Sequence, residues 1–253
     1  MSVKLPLSGC TVLVTGASSG LGRRFAQTLA AAGASLALAA RRTDRLAALS
    51  LEIEGKGGRA VPIALDVTDL GSIRAAVAAT EAALGPIEVL INNSGVSEHK
   101  KLVDISEADF DRVMQTNVRG AFFVAQEVAR RMLDRGAGGR IVNIASVAGL
   151  RPIGGLSVYA MSKAAVLMMT KAMALEWGRH GINVNAICPG YIETEINSDY
   201  LASEMGKKLI GRLPRRRVGH PEDLDGLILL LTTAQSNFIN GAAMVVDDGQ
   251  LVG

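Results

Sequence analysis

The stretch Thr11-Val12-Leu13-Val14-Thr15-Gly16-Ala17-Ser18-Ser19-Gly20-Leu21-Gly22 decides the fold. Thr11–Thr15 has the short apolar and β-branched make-up of a buried strand, and Leu21–Ala32 has helical periodicity. A strand, a glycine turn and a helix in direct succession open a βαβ unit. Glycines let such a turn bend sharply and approach a pyrophosphate, while the helix amino terminus offers oriented N–H groups and partial positive charge. A tight structural turn would explain the glycines if they stood alone. Their place between the first strand and the first helix instead points to a dinucleotide site built from Gly16, Ser18, Ser19, Gly20, Leu21 and Gly22. The turn lacks the Gly-Lys-Ser/Thr ending of a nucleotide-hydrolysing loop, so ATP is the wrong ligand.

Outward from this unit the same alternation continues. Strand patterns fall at Ser35–Ala39, Ala60–Leu65, Val89–Asn92, Arg140–Ala145, Asn183–Ile187 and Ala243–Val246. Helical patterns fall at Asp44–Glu54, Ser72–Leu84, Glu107–Arg135, Val158–His180 and Pro221–Leu231. Leu36-Ala37-Leu38-Ala39 and Val89-Leu90-Ile91 are apolar without alternation, as parallel strands covered by helices on both faces must be. The expectation is an α/β fold: one doubly wound, Rossmann-type parallel sheet of seven strands in a single domain spanning 1–253. No repeat or proline-rich linker divides the chain. Tyr191–Gly219 has mixed signals after the sixth strand, at the end of the sheet where α/β ligands bind, and reads as a substrate lid.

Composition narrows the function. Of 253 residues, 49% are hydrophobic and 20% charged, ordinary values for a globular chain, and the net charge of +3 is too small and scattered for a nucleic-acid footprint. Cys10 and Cys188 both read as parts of buried strands rather than as a disulfide or metal ligands. His99, His180 and His220 lie far from one another and from cysteine, so no metal is expected. No uninterrupted apolar run approaches the ~18 residues of a membrane helix, and Met1–Gly9 lacks a signal-peptide core, which together favour a cytoplasmic protein with no membrane partner.

Where an NAD enzyme places a carboxylate for the ribose 2′-hydroxyl, the chain reads Ala39-Ala40-Arg41-Arg42. Arginine there suits a 2′-phosphate, so NADP(H) is favoured over NAD(H), although a solvated strand end also accommodates arginines. Asp66 and Val67 follow the third strand, placed to accept from the adenine amino group and to pack beside its ring. Asp66 could equally cap the next helix.

Tyr159 and Lys163 are four residues apart in Tyr-Ala-Met-Ser-Lys, so a helix puts both on one face. A tyrosine hydroxyl, with a reference pKa of about 10, is a poor base near neutrality, and an adjacent ammonium lowers that value. Ser146, at the end of the fifth strand, can present a hydroxyl to the same cleft. Asn117 is an odd polar residue to bury in a long helix without a role, unless its amide only satisfies neighbouring backbone groups.

Together these residues resemble the short-chain dehydrogenase/reductase family from Leu7 to Gly249. Thr15–Gly22 matches its Thr-Gly-x-x-x-Gly-x-Gly turn, Asn92-Asn93-Ser94-Gly95 its Asn-Asn-Ala-Gly segment, and Asn117, Ser146, Tyr159 and Lys163 its catalytic tetrad. Pro189, Gly190, Ile192 and Thr194 lie in the segment that borders the nicotinamide in similar proteins. The resemblance implies that Tyr159 exchanges a proton with the substrate oxygen and that Ser146 polarises it. By the same resemblance Lys163 holds the nicotinamide ribose, Asn117 keeps a water that links Lys163 to solvent, and Asn93, Ser94 and Gly95 flank the cofactor. It also implies a homotetramer, with the long helices and the Ala243–Val246 region as interfaces.

Two departures stand out: Ser94 for the usual alanine, and Asp248 in Val246-Asp247-Asp248-Gly249 for a usual glycine, a change expected to touch subunit packing. The branch that looks most similar is that of 3-oxoacyl-carrier-protein reductases. The leading expectation is therefore an NADP(H)-dependent reductase of a small ketone, a 3-oxoacyl thioester among the candidates. The runner-up is an alcohol or sugar dehydrogenase working oxidatively, and a third reading is a cofactor-binding protein without turnover. Arg212-Leu213-Pro214-Arg215-Arg216-Arg217 is either a solvated basic run or a contact for an anionic carrier, and Ile153, Leu156 and Tyr191 are candidate pocket residues.

Overall fold

The computed structural model describes residues 5–195 and 197–252; Ile196 of the expected lid, residues 1–4 and residue 253 lie outside the described residues. Its strands are β1 (Thr11–Thr15), β2 (Ser35–Ala40), β3 (Arg59–Ala64), β4 (Ile87–Asn92), β5 (Gly139–Ile144), β6 (Ile182–Pro189) and β7 (Ala243–Val246). They form one seven-stranded parallel sheet in the order β3-β2-β1-β4-β5-β6-β7. The chain winds outward from β1 to β3, returns to place β4 against β1, and then winds the other way. The crevice where the direction reverses, between the carboxyl ends of β1 and β4, is where open α/β sheets take their ligands.

The helices are α1 (Gly20–Ala31), α2 (Thr43–Gly55), α3 (Leu70–Leu84), α4 (Glu107–Met114), α5 (Ala121–Arg135), α6 (Ser157–Trp177), α7 (Ser198–Ala202), α8 (Glu204–Arg212) and α9 (Asp225–Thr232). Apolar side chains cover both sheet faces. Phe25, Leu29, Leu46, Ile228 and Leu231 pack with Leu36 and Leu38 on one side. Ile73, Val77, Val124, Val128 and Met132 pack with Leu13, Leu90 and Ile141 on the other. Each such side chain, fully removed from water, contributes about 1.5–3 kcal/mol before entropy is counted. Pro62 is tolerated in β3 because that strand is the sheet edge.

Several boundaries differ from the sequence reading. The expected helix Glu107–Arg135 is interrupted by a π-helical turn at Gln115–Gly120, which shifts the hydrogen-bond register around Asn117. Pro221–Leu224 is 3-10 rather than α-helical, and the expected lid contains the helices α7 and α8, the latter capped by Ser203. Cys10 precedes β1 and is half-buried, whereas Cys188 lies inside β6; both thiols are free. Ser157–His180 is long and apolar enough, by length and composition, to cross a membrane, a point that a search for uninterrupted apolar runs misses. Half of its most apolar window is buried in the fold, and the helix packs on β6.

Candidate functional site

The reversal point is tied together by Thr15. Its Oγ1 accepts from the amides of Asn93 at 2.9 Å and Ser94 at 3.0 Å, and the Asn93 side-chain amide donates back to the Thr15 carbonyl at 2.9 Å. The end of β1 and the exit of β4 are thereby locked side by side. Gly16 and Gly20 have φ of +67° and +53°, a left-handed backbone that favours glycine. A Cβ on Gly22 would stand 2.3 Å from the Gly16 carbonyl oxygen and 2.5 Å from Asn93 Nδ2, so α1 begins directly against the turn. Ser19, at the N-cap of α1, makes no side-chain cap, and the first turn holds no acidic residue. Its leading N–H groups are thus left to an anion, as a pyrophosphate cradle requires. Gly22→Ala is expected to cost about 1–3 kcal/mol through this overlap. Cofactor affinity should fall with it, measured by denaturant unfolding and by NADPH fluorescence titration.

At the end of β2 the structure separates the two arginines. Arg42 turns to the glycine turn, donating through Nη2 to Ser18 Oγ at 3.0 Å and to Ser19 Oγ at 2.7 Å. Arg41 is exposed, and its charge acts on Asp66. Asp66 does not cap the next helix. Its Oδ1 accepts from the amide and hydroxyl of Thr68 at 2.9 and 2.8 Å, which hold its carboxyl below the usual range, while Asp69 caps α3 through the Gly71 amide. Val67 is buried beside it.

On the far side, the Gly190 amide donates to the Val246 carbonyl at 2.9 Å, and Ile192 pairs with Gly219 to close the base of 191–219. Ile192 packs into the core rather than lining open space. A Cβ built on Gly20 would lie 3.6 Å from the Thr194 methyl, so the segment after Pro189 reaches the glycine turn. Glu195 and Arg45 form an ion pair at 3.3 Å across the same opening.

The four polar residues of the expected tetrad converge beside this crevice. Ser146 ends the β5 segment, nearly buried, its Oγ accepting from the Ala148 amide at 3.1 Å and sharing a hydrogen bond with Tyr159. Lys163 is only 5% exposed; its Nζ donates to the Ile144 carbonyl at 2.8 Å and lies 5.6 Å from the centre of the Tyr159 ring. A Cβ on Gly95 would be 3.5 Å from that Nζ and 3.4 Å from Asn117 Oδ1, so the β4 exit passes directly over both. Asn117 exchanges hydrogen bonds with the Val96 backbone, both at 2.8 Å, and donates to Ser162 Oγ at 3.0 Å. Ser162 in turn donates to the Tyr159 carbonyl at 2.7 Å. The buried amide therefore clamps the β4 exit to α6.

The electrostatics correct one expectation. Burial raises the Tyr159 hydroxyl above its ordinary value, the Ser146 hydrogen bond only partly opposing it. The Lys163 ammonium is engaged by the Ile144 carbonyl and is itself pushed down to about 8 by burial, with Cys188 acting weakly in the other direction. Desolvation outweighs the attraction that sequence spacing suggested.

Next to Ser146 lies a cavity of about 290 Å³ between the β5 exit loop, the 191–219 segment and the chain end. Of the three expected pocket residues it includes Ile153 and Tyr191 but not Leu156, and it brings in Arg151, Arg212 and Leu251. Arg212 is legible in the sequence only as part of the basic run and Arg151 carries no local signal, because the two are far apart in the chain and only the tertiary fold joins them. Asp248 has φ of +55° and pairs with Arg215 at 3.1 Å and Arg217 at 2.9 Å. The departure at this position thus ties the chain end to the 191–219 segment within one subunit. No cluster of His, Cys, Asp or Glu fit to hold a metal occurs among the described residues.

Known proteins match this architecture. Residues 10–204 match the family described as short chain dehydrogenase. The gluconate 5-dehydrogenase of Gluconobacter oxydans strain 621H is 41% identical over 96% of this chain and 95% of its own length. The L-rhamnose 1-dehydrogenase (NAD(P)(+)) of Azotobacter vinelandii is 37% identical over 96% of each. The crystal structure of a gluconate 5-dehydrogenase from Burkholderia cenocepacia J2315, in complex with NADP and tartrate, superposes with a TM-score of 0.93 at 35% identity, covering 99% of this chain and 98% of that one. With the parallel sheet, the glycine cradle and identity along nearly the whole length, the chain belongs to the short-chain dehydrogenase family and is an oxidoreductase acting between CH–OH and C=O with a nicotinamide dinucleotide.

Proposed function

We propose that this enzyme interconverts a secondary alcohol and a ketone on a small polyhydroxylated molecule, using NADP(H). The observation that carries the reading is the convergence of Ser146, Tyr159 and Lys163 at the β5 exit, where Val147, the residue after Ser146, lines a cavity of about 290 Å³. That volume sits at the lower end of the ~300–1,000 Å³ typical of small-ligand pockets and suits a sugar-sized substrate better than a long acyl thioester. Sugar substrates in the names of the G. oxydans and A. vinelandii relatives favour the dehydrogenase reading in the same way.

In this reading the Tyr159 hydroxyl exchanges a proton with the substrate oxygen and Ser146 donates a hydrogen bond to it. Lys163, beneath Gly95, holds the nicotinamide ribose, and Asn117 keeps the β4 exit and α6 in register and orders a water behind Lys163. Gly16, Ser18, Ser19, Gly20, Leu21 and Gly22 hold the pyrophosphate, Asp66 and Val67 the adenine, and Asn93, Ser94 and Gly95 the middle of the cofactor. Pro189, Gly190, Ile192 and Thr194 border the nicotinamide, and 191–219 closes over the substrate. The cofactor supplies the hydride acceptor or donor. Steady-state rates with NADP⁺ against polyols and aldonates, and with NADPH against sugar ketones and acetoacetyl thioesters, test the reading; turnover confined to thioesters overturns it.

NADP preference is supported by Arg42 on Ser18 and Ser19 and by the NADP complex of the B. cenocepacia protein. Arg42→Ala is expected to weaken NADPH about tenfold more than NADH, as loss of a charge-assisted phosphate contact should, with a smaller bias for Arg41→Ala. Binding titrations of both cofactors decide it, and equal losses for both return Arg42 to a structural role. Self-association into a tetramer is part of the same reading. The groove of about 710 Å³ between α5 and α6, lined by Phe122, Leu133, Met169 and Trp177, is an apolar face for a second copy, and light scattering gives the assembly directly.

A further inference from the structure

Residues 247–251 reach both roots of the 191–219 segment. After β7 the Asp247 carboxylate accepts from the Gly249 amide at 3.0 Å and the Leu251 amide at 2.7 Å, while the Gln250 amide donates to the Asp247 carbonyl at 3.1 Å. The chain thereby closes into a tight turn. From this turn Gln250 Oε1 accepts from the Tyr191 amide at 3.1 Å, at the first root. The approach there is close, since a Cβ on Gly190 would stand 2.8 Å from Asp247 Cβ. At the second root Asp248 holds Arg215 at 3.1 Å and Arg217 at 2.9 Å, and a Cβ on Gly249 would lie 3.8 Å from Pro214. The two roots are themselves joined: the Gly219 amide donates to the Tyr191 carbonyl and the Glu193 amide to the Gly219 carbonyl, both at 2.9 Å. Gln250 and Leu251 then line the cavity of about 290 Å³ together with Leu213 and Pro214.

We propose that 247–251 is a specificity-determining clamp: Gln250 and Asp248 position the two roots of the 191–219 segment, and Leu251 sets the length of substrate that the cavity accepts. The inference rests on the reading above that this cavity takes the substrate. Asp248 has φ of +55°, a left-handed backbone that glycine adopts freely and aspartate only with some strain. Its two ion pairs offset that strain, so the unusual backbone and the grip on Arg215 and Arg217 form one device. Partly exposed pairs of this kind add little to global stability. Their effect is local, fixing where Leu213 and Pro214 stand in the cavity wall. The Gln250 contact is made to the Tyr191 backbone, so it positions the first root independently of the Tyr191 side chain. Leu251 is an aliphatic part of the wall and selects by volume, as apolar pockets do when one methylene more or less discriminates by about 10- to 200-fold.

The test pairs two measurements on the NADPH-bound protein. Rates of NADPH oxidation are read with dihydroxyacetone, L-erythrulose, D-xylulose and D-fructose, a series of ketoses that lengthens by one carbon at a time. Leu251→Ala should raise kcat/KM for the longer ketoses relative to the shorter by about tenfold or more, and Leu251→Phe should shift the profile in the opposite direction. A merely structural role would lower every rate together, so an unchanged length profile in both variants overturns the proposal. Amide hydrogen exchange, read by mass spectrometry, reports on the clamp without turnover. Asp248→Gly keeps the left-handed backbone and deletes both ion pairs, while Gln250→Ala deletes the contact to Tyr191. Exchange should quicken about tenfold in the peptide containing Arg216 for the first variant and in that containing Tyr191 for the second, with β1 unchanged in both. Gln250→Glu, which keeps the acceptor, should restore protection at Tyr191. Wild-type protection in both Asp248→Gly and Gln250→Ala overturns the clamp. Reduction of no ketose by the wild type overturns the underlying reading of the cavity instead, and the exchange result still decides the clamp.

Discussion

Tyr159→Phe is expected to lower kcat by about 10²–10⁴-fold while NADPH affinity stays within about threefold, because it deletes a transferable proton and almost no volume. The ring keeps its place in α6, where the backbone carbonyl of residue 159 remains the acceptor for Ser162 and, through it, Asn117. What disappears is the hydroxyl that shares a hydrogen bond with Ser146. Since burial raises that hydroxyl above its ordinary value, the protein favours the protonated form near neutrality, which suits proton donation to a ketone. Wild-type rates of ketone reduction should accordingly exceed alcohol oxidation at pH 7, with oxidation gaining as pH rises. Single-turnover absorbance with saturating cofactor separates the chemical step from binding. Retained turnover in Tyr159→Phe would assign the proton to another group, and a large loss of NADPH affinity would make the residue a cofactor contact instead.

How much of this could be read from the chain follows from which signals are local. β1, the glycine turn and α1 form one uninterrupted stretch, and β2 and β4 are apolar throughout because both sheet faces are covered, so strand, turn and helix are all legible there. The Tyr159–Lys163 spacing is equally local. Arg41 and Arg42 are adjacent, and only the twist of the chain leaving β2 decides that Arg42 meets Ser18 and Ser19. A π turn adds too little to the helical period for pattern reading to detect it inside a long amphipathic run, so Gln115–Gly120 was invisible. In the 191–219 segment, Ser203-Glu204 did carry a legible cap for α8, whereas α7 is too short to show a period. The rise of the Tyr159 hydroxyl was beyond sequence reasoning altogether, because spacing reports a neighbouring charge and says nothing of how much water is excluded around it.

Lys163→Met is expected to cripple turnover by a factor comparable to that of Tyr159→Phe and, without cofactor, to raise thermal stability at pH 7. Burial holds the Lys163 amine at about 8 against an ordinary 10.5. The unfolded chain therefore binds more protons between these values, and wild-type stability climbs as pH rises through that window. Below pH 8 the full penalty of a buried ammonium is present, on the order of 3 kcal/mol from the shift. Methionine removes the penalty but leaves the Ile144 carbonyl without its 2.8 Å partner, a loss of about 1–3 kcal/mol. The balance at pH 7 is a gain of about 1 kcal/mol, or about 2–4 °C for a chain of this size. Above pH 10.5 the penalty has vanished in the wild type while the orphaned carbonyl persists in the variant, so the order should invert. Calorimetric melts of both proteins from pH 6.5 to 10.5 read this crossing. A variant less stable at every pH, with a constant difference, would show that Lys163 binds its proton equally in the folded and unfolded chain, as an ammonium that the Ile144 carbonyl stabilises and burial does not penalise.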